Sequence, residues 1–220
     1  MIMLSSLAPQ ATAKTSKSPA RLTVYLLLVY AIFCCTQARA WQLEIAEPNL
    51  KVWTQAVSHS EFKSFKGTVL IKAPITEVMA FIKDTPNMVN WYHNTIEARR
   101  LQKIGEKTWL SYSVTQAPWP VTDRDSVTIV EQQDLAQGYR LTMQAAPERY
   151  PLQANRIRIP KLDGFWLIEK LDANLTQVTL QISAEPGGEI PSWLANALVI
   201  DMPYYSLSAL KTQIEKNNDE

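Results

Sequence analysis

Residues 185–214, EPGGEIPSWLANALVIDMPYYSLSALKTQI, constrain what this chain can fold into more than any other stretch. Gly187 and Gly188 break a preceding strand, and Pro191 suits the first turn of a helix, where a missing N–H costs little. A long apolar run without further glycine then predicts the last and longest helix of the chain. At helical spacing Leu194, Leu198, Tyr205, Leu207 and Leu210 line one side, and Trp193, Ala197, Ile200 and Tyr204 a neighbouring one. That surface is too wide for a single seam, so the helix must be covered, and the alternating segments before it offer a curved sheet as the cover. Asp201 interrupts the apolar surface, either as a solvent-facing turn residue or one bonded to the broken backbone, or as a ligand contact. Pro203 removes a backbone hydrogen bond and predicts a kink nearby.

At the other end, Lys14, Lys17 and Arg21 precede an apolar run at 22–33, and Ala38-Arg39-Ala40 offers small residues at a cleavage position. This is the pattern of an export signal spanning 1–40 and cleaved after Ala40, which sends the protein to the periplasm or the medium. The apolar run is shorter than the roughly 20 residues that cross a bilayer as a helix. Both cysteines, Cys34 and Cys35, fall inside the export signal. An exported chain without disulfides is held together by its core alone. The 180 residues that follow Ala40 are enough for one domain that buries roughly 70% of its unfolded surface. We read them as a single domain at 41–217 with a solvated tail at 218–220. The signal carries four of the 22 basic residues and none of the 21 acidic ones, which leaves 18 against 21, net −3. No excess of positive charge remains to neutralise phosphates, so nucleic acid is not an expected partner.

Between these ends the chain reads as strands around small helices. Residues 51–57 alternate as an edge strand, and 62–73 form a firmer one in which Gly67 marks a bulge or bend. Pro74 stops that ladder, and Ile75, Val78, Met79, Phe81 and Ile82 recur at helical spacing. A second short helix opens at Pro86. From Thr95 onward period two persists over 97–103, 107–117, 126–132, 139–145, 156–162, 165–171 and 177–184, with Gly164 as punctuation. Short connections imply antiparallel meanders. The class is α+β, a sheet wrapped around the terminal helix, with a cavity where a concave sheet and a cylindrical helix fail to match.

Groups suited to chemistry are sparse. His59 and His93 are the two histidines, with no cysteine beyond Cys35 and no H-E-x-x-H spacing, so neither a metal nor another cofactor is expected. No G-x-S-x-G is present. Asp123 and Asp125 flank Arg124, and ion pairing explains that arrangement more simply than acid–base work. Trp91, Tyr92 and His93 follow the short helix near the expected cavity. Trp119 stands between two prolines, on a loop that could present indole to a membrane interface.

Several of these segments together resemble a known family. LQKIGEKTWL, then PWPVTDRD, then Gly164-Phe165-Trp166, then PGGEIPSWLAN before a long helix, are similar in order and spacing to the START (StAR-related lipid transfer) domain, in an exported bacterial form. The resemblance spans roughly 52–214. It implies a helix-grip fold whose sheet and C-terminal helix enclose one hydrophobic ligand, commonly a lipid or sterol, without covalent chemistry. It implies that Trp193, Ala197, Ile200 and Tyr204 lid or line the tunnel, that Leu110, Tyr112, Met143 and Ile182 form its wall, and that Arg124 with Asp125 make a structural ion pair. Sterol-transfer members place an acid and an arginine where Tyr112 and Val130 align here, and neither is charged. On the strand after Asp125, either Val127 and Ile129 or Ser126, Thr128 and Val130 face inward.

These readings give an exported, monomeric, non-enzymatic binder of a hydrophobic small molecule, with transient membrane contact. The competing readings are a cyclase- or hydratase-type enzyme that uses the same cavity, with His93, Asp125 or Tyr112 as acid or base, and an interaction module for another envelope protein.

Overall fold

The computed structural model describes residues 40–219, so the export signal expected at 1–40 lies, but for its last residue, outside them. Ten strands form a single sheet: β1 (Gln42–Ala46), β2 (Leu50–Ala56), β3 (Lys63–Ile71), β4 (Thr95–Lys103), β5 (Thr108–Thr115), β6 (Arg124–Leu135), β7 (Gly138–Ala145), β8 (Ile157–Arg158), β9 (Lys161–Asp172) and β10 (Leu175–Glu185). The sheet order is β1-β2-β3-β10-β9-β7-β6-β5-β4, and β8 pairs with β6 off this path. Every pairing is antiparallel except β6–β8. Helix α1 (Ile75–Lys83) and a 3-10 turn at Thr85–Asn90 separate β3 from β4. Two further helices, α2 (Ser192–Leu198) and α3 (Asp201–Asp219), close the chain. The architecture is α+β, an antiparallel sheet packed on a C-terminal helix.

The local chemistry explains most boundaries. Pro74 ends the β3 segment and caps α1 in an extended conformation, and α1 buries Val78, Met79 and Ile82 at the spacing of one helical face. Pro86 sits in the first turn of the 3-10 segment. Gly187 and Gly188 both take positive φ, 68° and 59°, which turns the chain from β10 toward α2 without steric cost.

Four expectations are corrected. The strand expected as an edge at 51–57 is not one, because β1 pairs along its outer side and is itself the edge. Gly67 makes no bulge, because it stands in regular register opposite Val52 and Leu180. Its role is close approach: a Cβ there would lie 2.5 Å from Leu207 Cδ1 and 3.1 Å from Pro203 Cβ, so the helix rests on bare backbone. Gly164 does not punctuate either. Pro160, which has no N–H to give a ladder, separates the two-residue β8 from a β9 that runs unbroken through Gly164. Finally, the terminal helix is two helices. The break falls at Val199 and Ile200, which places Pro203 in the first turn of α3, where its missing N–H is one that no helix satisfies internally. No kink is needed.

Two apolar clusters result. The main core joins Val52, Val69, Ile71 and Leu180 of the sheet to Leu207, Leu210 and Ile214 of α3. The second lies on the other face of β5 and β6, where Leu110, Tyr112, Val114 and Val127 pack with Ala146 under Tyr150.

Candidate functional site

Alternation along β5 and β6 decides the site. Leu110, Tyr112 and Val114 share a face, as their spacing predicts, but that face belongs to the second cluster. The intervening residues turn the other way, so Trp109, Ser111, Ser113 and Thr115 of β5, with Ser126, Thr128 and Val130 of β6, line a cavity of about 200 Å³. Period two fixes which residues share a face and leaves open which face meets the helix. The open question on β6 resolves to Ser126, Thr128 and Val130, with Val127 buried behind them. Most of the remaining wall comes from Phe65, Ile82, Met88, Tyr92, Leu141, Met143, Trp166, Ile182, Ala184 and Met202. Phe81, Trp91, Tyr92 and Trp166 contact one another edge-on or tilted, with centroids 5.5–6.0 Å apart, and stiffen that side.

The cavity is therefore apolar on most sides with a stripe of hydroxyls along β5 and β6. Ser113 and Ser126 satisfy each other across the ladder, Oγ to Oγ at 2.8 Å. Tyr92 lines the same cavity, and burial pushes its phenol well above the usual range, so it stays neutral. Among the described residues the lining contains no Asp, Glu, Lys, Arg or His.

A second cavity of about 220 Å³ adjoins the first, and Thr115, Ile159 and Met202 line both. Its walls are the β5–β6 loop at Gln116, Ala117 and Pro118, the turn at Pro186 and Ile190, and Ala195, Leu198 and Asp201 near the helix break. His93 and Arg124 supply its basic groups. The His93 ring stacks on Tyr205 at 4.8 Å, and the His93 backbone N–H donates to Ser206 Oγ at 3.0 Å. Burial holds the imidazole below its usual range, and the Asp201 carboxylate partly opposes that shift. Asp201, read as a turn residue or a ligand contact, is the half-buried first residue of α3 on this lining.

Of the expected site residues, Met143 and Ile182 line the first cavity, while Leu110 faces the second cluster. Tyr112 borders the cavity with its backbone side, because its hydroxyl accepts a 2.7 Å hydrogen bond from Arg156 Nη1 and its ring packs on Tyr150 in the opposite direction. Trp193 stands 71% exposed on α2. Ile200 and Tyr204 pack on the main core, and Tyr204 Oη donates to Glu47 Oε1 at 2.9 Å. The side chain of Ala197 lies outside the described residues. Besides Asp201, the α2 and α3 positions on the linings of these two cavities are Ala195, Leu198 and Met202, spaced three and four apart. Ala195, Leu198 and Met202 share one helical face, opposite that of Trp193, Ile200 and Tyr204, so the period is legible in the sequence and the choice of inward face is not.

The Arg124–Asp125 ion pair is also corrected. Asp125 pairs with Arg158, whose Nε and Nη2 reach the two carboxylate oxygens at 2.9 Å each, with the partners 1% and 6% exposed. Arg158 further donates to the carbonyls of Pro147, Tyr150 and Pro151, which fastens the 147–158 segment over the second cluster. Neighbours on an extended strand point to opposite faces, so Arg124 and Asp125 cannot share a partner surface. Arg124 instead donates to the Thr122 and Gly187 carbonyls.

Comparison with known proteins places this geometry. The START domain family model matches residues 34–201. An uncharacterized protein of Pseudomonas aeruginosa is 36% identical over 197 residues, spanning 89% of this chain and 97% of its own length. The crystal structure of a STAR-related lipid transfer protein fragment from Xanthomonas axonopodis is similar with a TM-score of 0.73 at 31% identity, covering 80% of this chain and 98% of that one. The Zhui aromatase/cyclase of a Streptomyces species shares the fold at a TM-score of 0.51 and 15% identity, over 70% of this chain and 94% of its own. The match to the family model, the 36% identity to a relative matched over 97% of its length and the sheet-and-helix architecture agree, and the chain belongs to the START domain family.

Proposed function

We propose that the protein is a non-enzymatic binder and carrier of a lipid-like hydrophobic molecule held between the sheet and the helices. The observation that supports this most is the composition of the first cavity, which offers apolar walls and neutral hydroxyls and no ionisable acid or base beyond tyrosine. Acid–base catalysis needs a titratable group within reach of the substrate. Asp125 has both oxygens engaged by Arg158, and the Tyr112 hydroxyl is turned toward Arg156. His93, on the second cavity, is what remains for a cyclase- or hydratase-type reading. Family membership and the lipid-transfer description of the Xanthomonas axonopodis relative support cargo binding. Size points the same way for the site as a whole: small-ligand pockets hold roughly 300–1,000 Å³, so a lipid-sized cargo needs both adjoining cavities.

The site of action we propose is outside the cytoplasm, supported by the basic residues, apolar run and Ala38-Arg39-Ala40 of the first forty positions. The deciding experiment is to express the full-length sequence, purify the product without detergent, denature it and identify released organic-soluble molecules by mass spectrometry. A stoichiometric lipid or isoprenoid is the expected result. An empty protein that also takes up no fluorescent lipid overturns the carrier reading. It would direct attention to His93 variants and to whether any activity found has a bell-shaped pH profile that they lose.

A further inference from the structure

The carrier reading leaves a buried cation unexplained. Arg124 is 6% exposed and lines the second cavity. Among the described residues no carboxylate forms an ion pair with it. Its Nη groups reach the carbonyls of Thr122 and Gly187, and its Nε is buried without a hydrogen-bond partner. Of the neighbouring acids, Asp125 is held by Arg158, and Asp123, whose Oδ1 accepts from the Ala117 N–H at 3.0 Å, acts on Arg124 only through space, which burial of the guanidinium outweighs. A desolvated guanidinium served by two neutral carbonyls is a costly arrangement, and an anionic oxygen would relieve it.

The first cavity sets the complementary limit. With no charged side chain on its lining, it can take the apolar body of an amphiphile but not a charged end. The two cavities meet at Thr115, Ile159 and Met202, so one ligand can occupy both. Resting on the carrier reading, we propose that Arg124 is the head-group site for an anionic amphiphile. A carboxylate or phosphate oxygen is held at Arg124 in the second cavity, and the hydrocarbon body passes Met202 into the first. The guanidinium suits this, since it stays charged and presents several N–H donors in a fixed plane. Asp201 and His93 stand on the same lining, where Asp201 disfavours a second negative charge near the head.

The test compares heads on one tail. Hexadecanoic acid, hexadecyl phosphate and hexadecan-1-ol each displace a neutral fluorescent lipid probe from the full-length protein product, from the wild type and from Arg124→Gln, Arg124→Lys and Leu198→Glu. In the wild type at least one of the two acids should compete about tenfold better than the alcohol, the scale of one charge-assisted hydrogen bond. Which acid wins identifies the head as carboxylate or phosphate. Arg124→Gln should bring acid and alcohol within about twofold of each other, and Arg124→Lys should retain part of the preference. Leu198 lies at the exposed edge of the second cavity, so Leu198→Glu should weaken the acids more than the alcohol even if Arg124→Gln folds poorly. Equal competition by acids and alcohol in the wild type overturns the head-group site and leaves the carrier reading intact. So does an equal loss for both in Arg124→Gln, since that marks Arg124 as a latch on Gly187. Failure of all three compounds, and of the probe itself, to bind overturns the carrier reading together with this one.

Discussion

At the residue scale, buried charges decide most. The Asp125–Arg158 pair is bidentate and almost fully withdrawn from water, and Arg158 carries three backbone carbonyls as well. Removing one partner strands the other in low dielectric. Asp125→Asn should therefore lower the free energy of unfolding by ~3–5 kcal/mol in urea titrations, and a cost below about 1 kcal/mol would show the pair to be well hydrated. His93 gives a pH signature. Burial lowers its folded-state value below the ordinary 6.5, so between the two values the unfolded chain binds more protons and stability rises with pH. Wild type should then lose stability relative to His93→Gln as pH falls below about 6.5. A gain instead would mean that Asp201 outweighs burial. His93 beside its aromatic neighbours and the Arg124-Asp125 doublet are visible in the letters. What the letters conceal is that adjacent strand residues point apart, which sends Asp125 to Arg158 and leaves Arg124 at a cavity.

At the scale of elements, the seat of α3 on β3 is the contact that defines the grip. Gly67 has no Cβ where Leu207 Cδ1 and Pro203 Cβ press closest, and Leu207 is fully buried. Gly67→Ala should cost ~1–3 kcal/mol by overpacking, and Leu207→Ala ~2–5 kcal/mol through the cavity it leaves. Combined, the two should cost less than their sum, since the smaller side chain makes room for the new methyl. Additive costs in a double-mutant cycle would place the strain elsewhere. The glycine is plain in the sequence, but bulge, bend and close approach leave the same letter, and only the position of α3 separates them. The break between α2 and α3 is similar. Pro203 signals an interruption, yet the helix restarts at Asp201 so that proline falls in a first turn, and the cavity linings take Ala195, Leu198 and Met202 where the pattern also offered Trp193, Ile200 and Tyr204.

At the scale of the whole molecule, the site is the space that sheet and helices fail to fill. Ala184 lines the first cavity beside Ile182, and Ala184→Phe should reduce lipid uptake about tenfold while leaving the fold intact by circular dichroism, since one added ring occupies much of the volume. Unchanged uptake would move the cargo elsewhere. Exposed aromatic residues flank the second cavity: Trp119, 92% exposed, follows Pro118 of its lining, and Trp193 precedes Ala195. Trp119→Ala should weaken binding to phosphatidylcholine vesicles without changing stability, and equal vesicle binding would remove this loop from any membrane contact. The sequence by itself determined the α+β class, the long antiparallel run, the terminal helical segment and the family, because period, proline and glycine act locally and each leaves its mark within a few residues. Tertiary structure alone decided which face of β5 and β6 looks inward, which arginine Asp125 holds, and that the wall is striped with serine and threonine hydroxyls. Those outcomes depend on what packs against each strand from a distant part of the chain, and a period-two pattern is the same from either side.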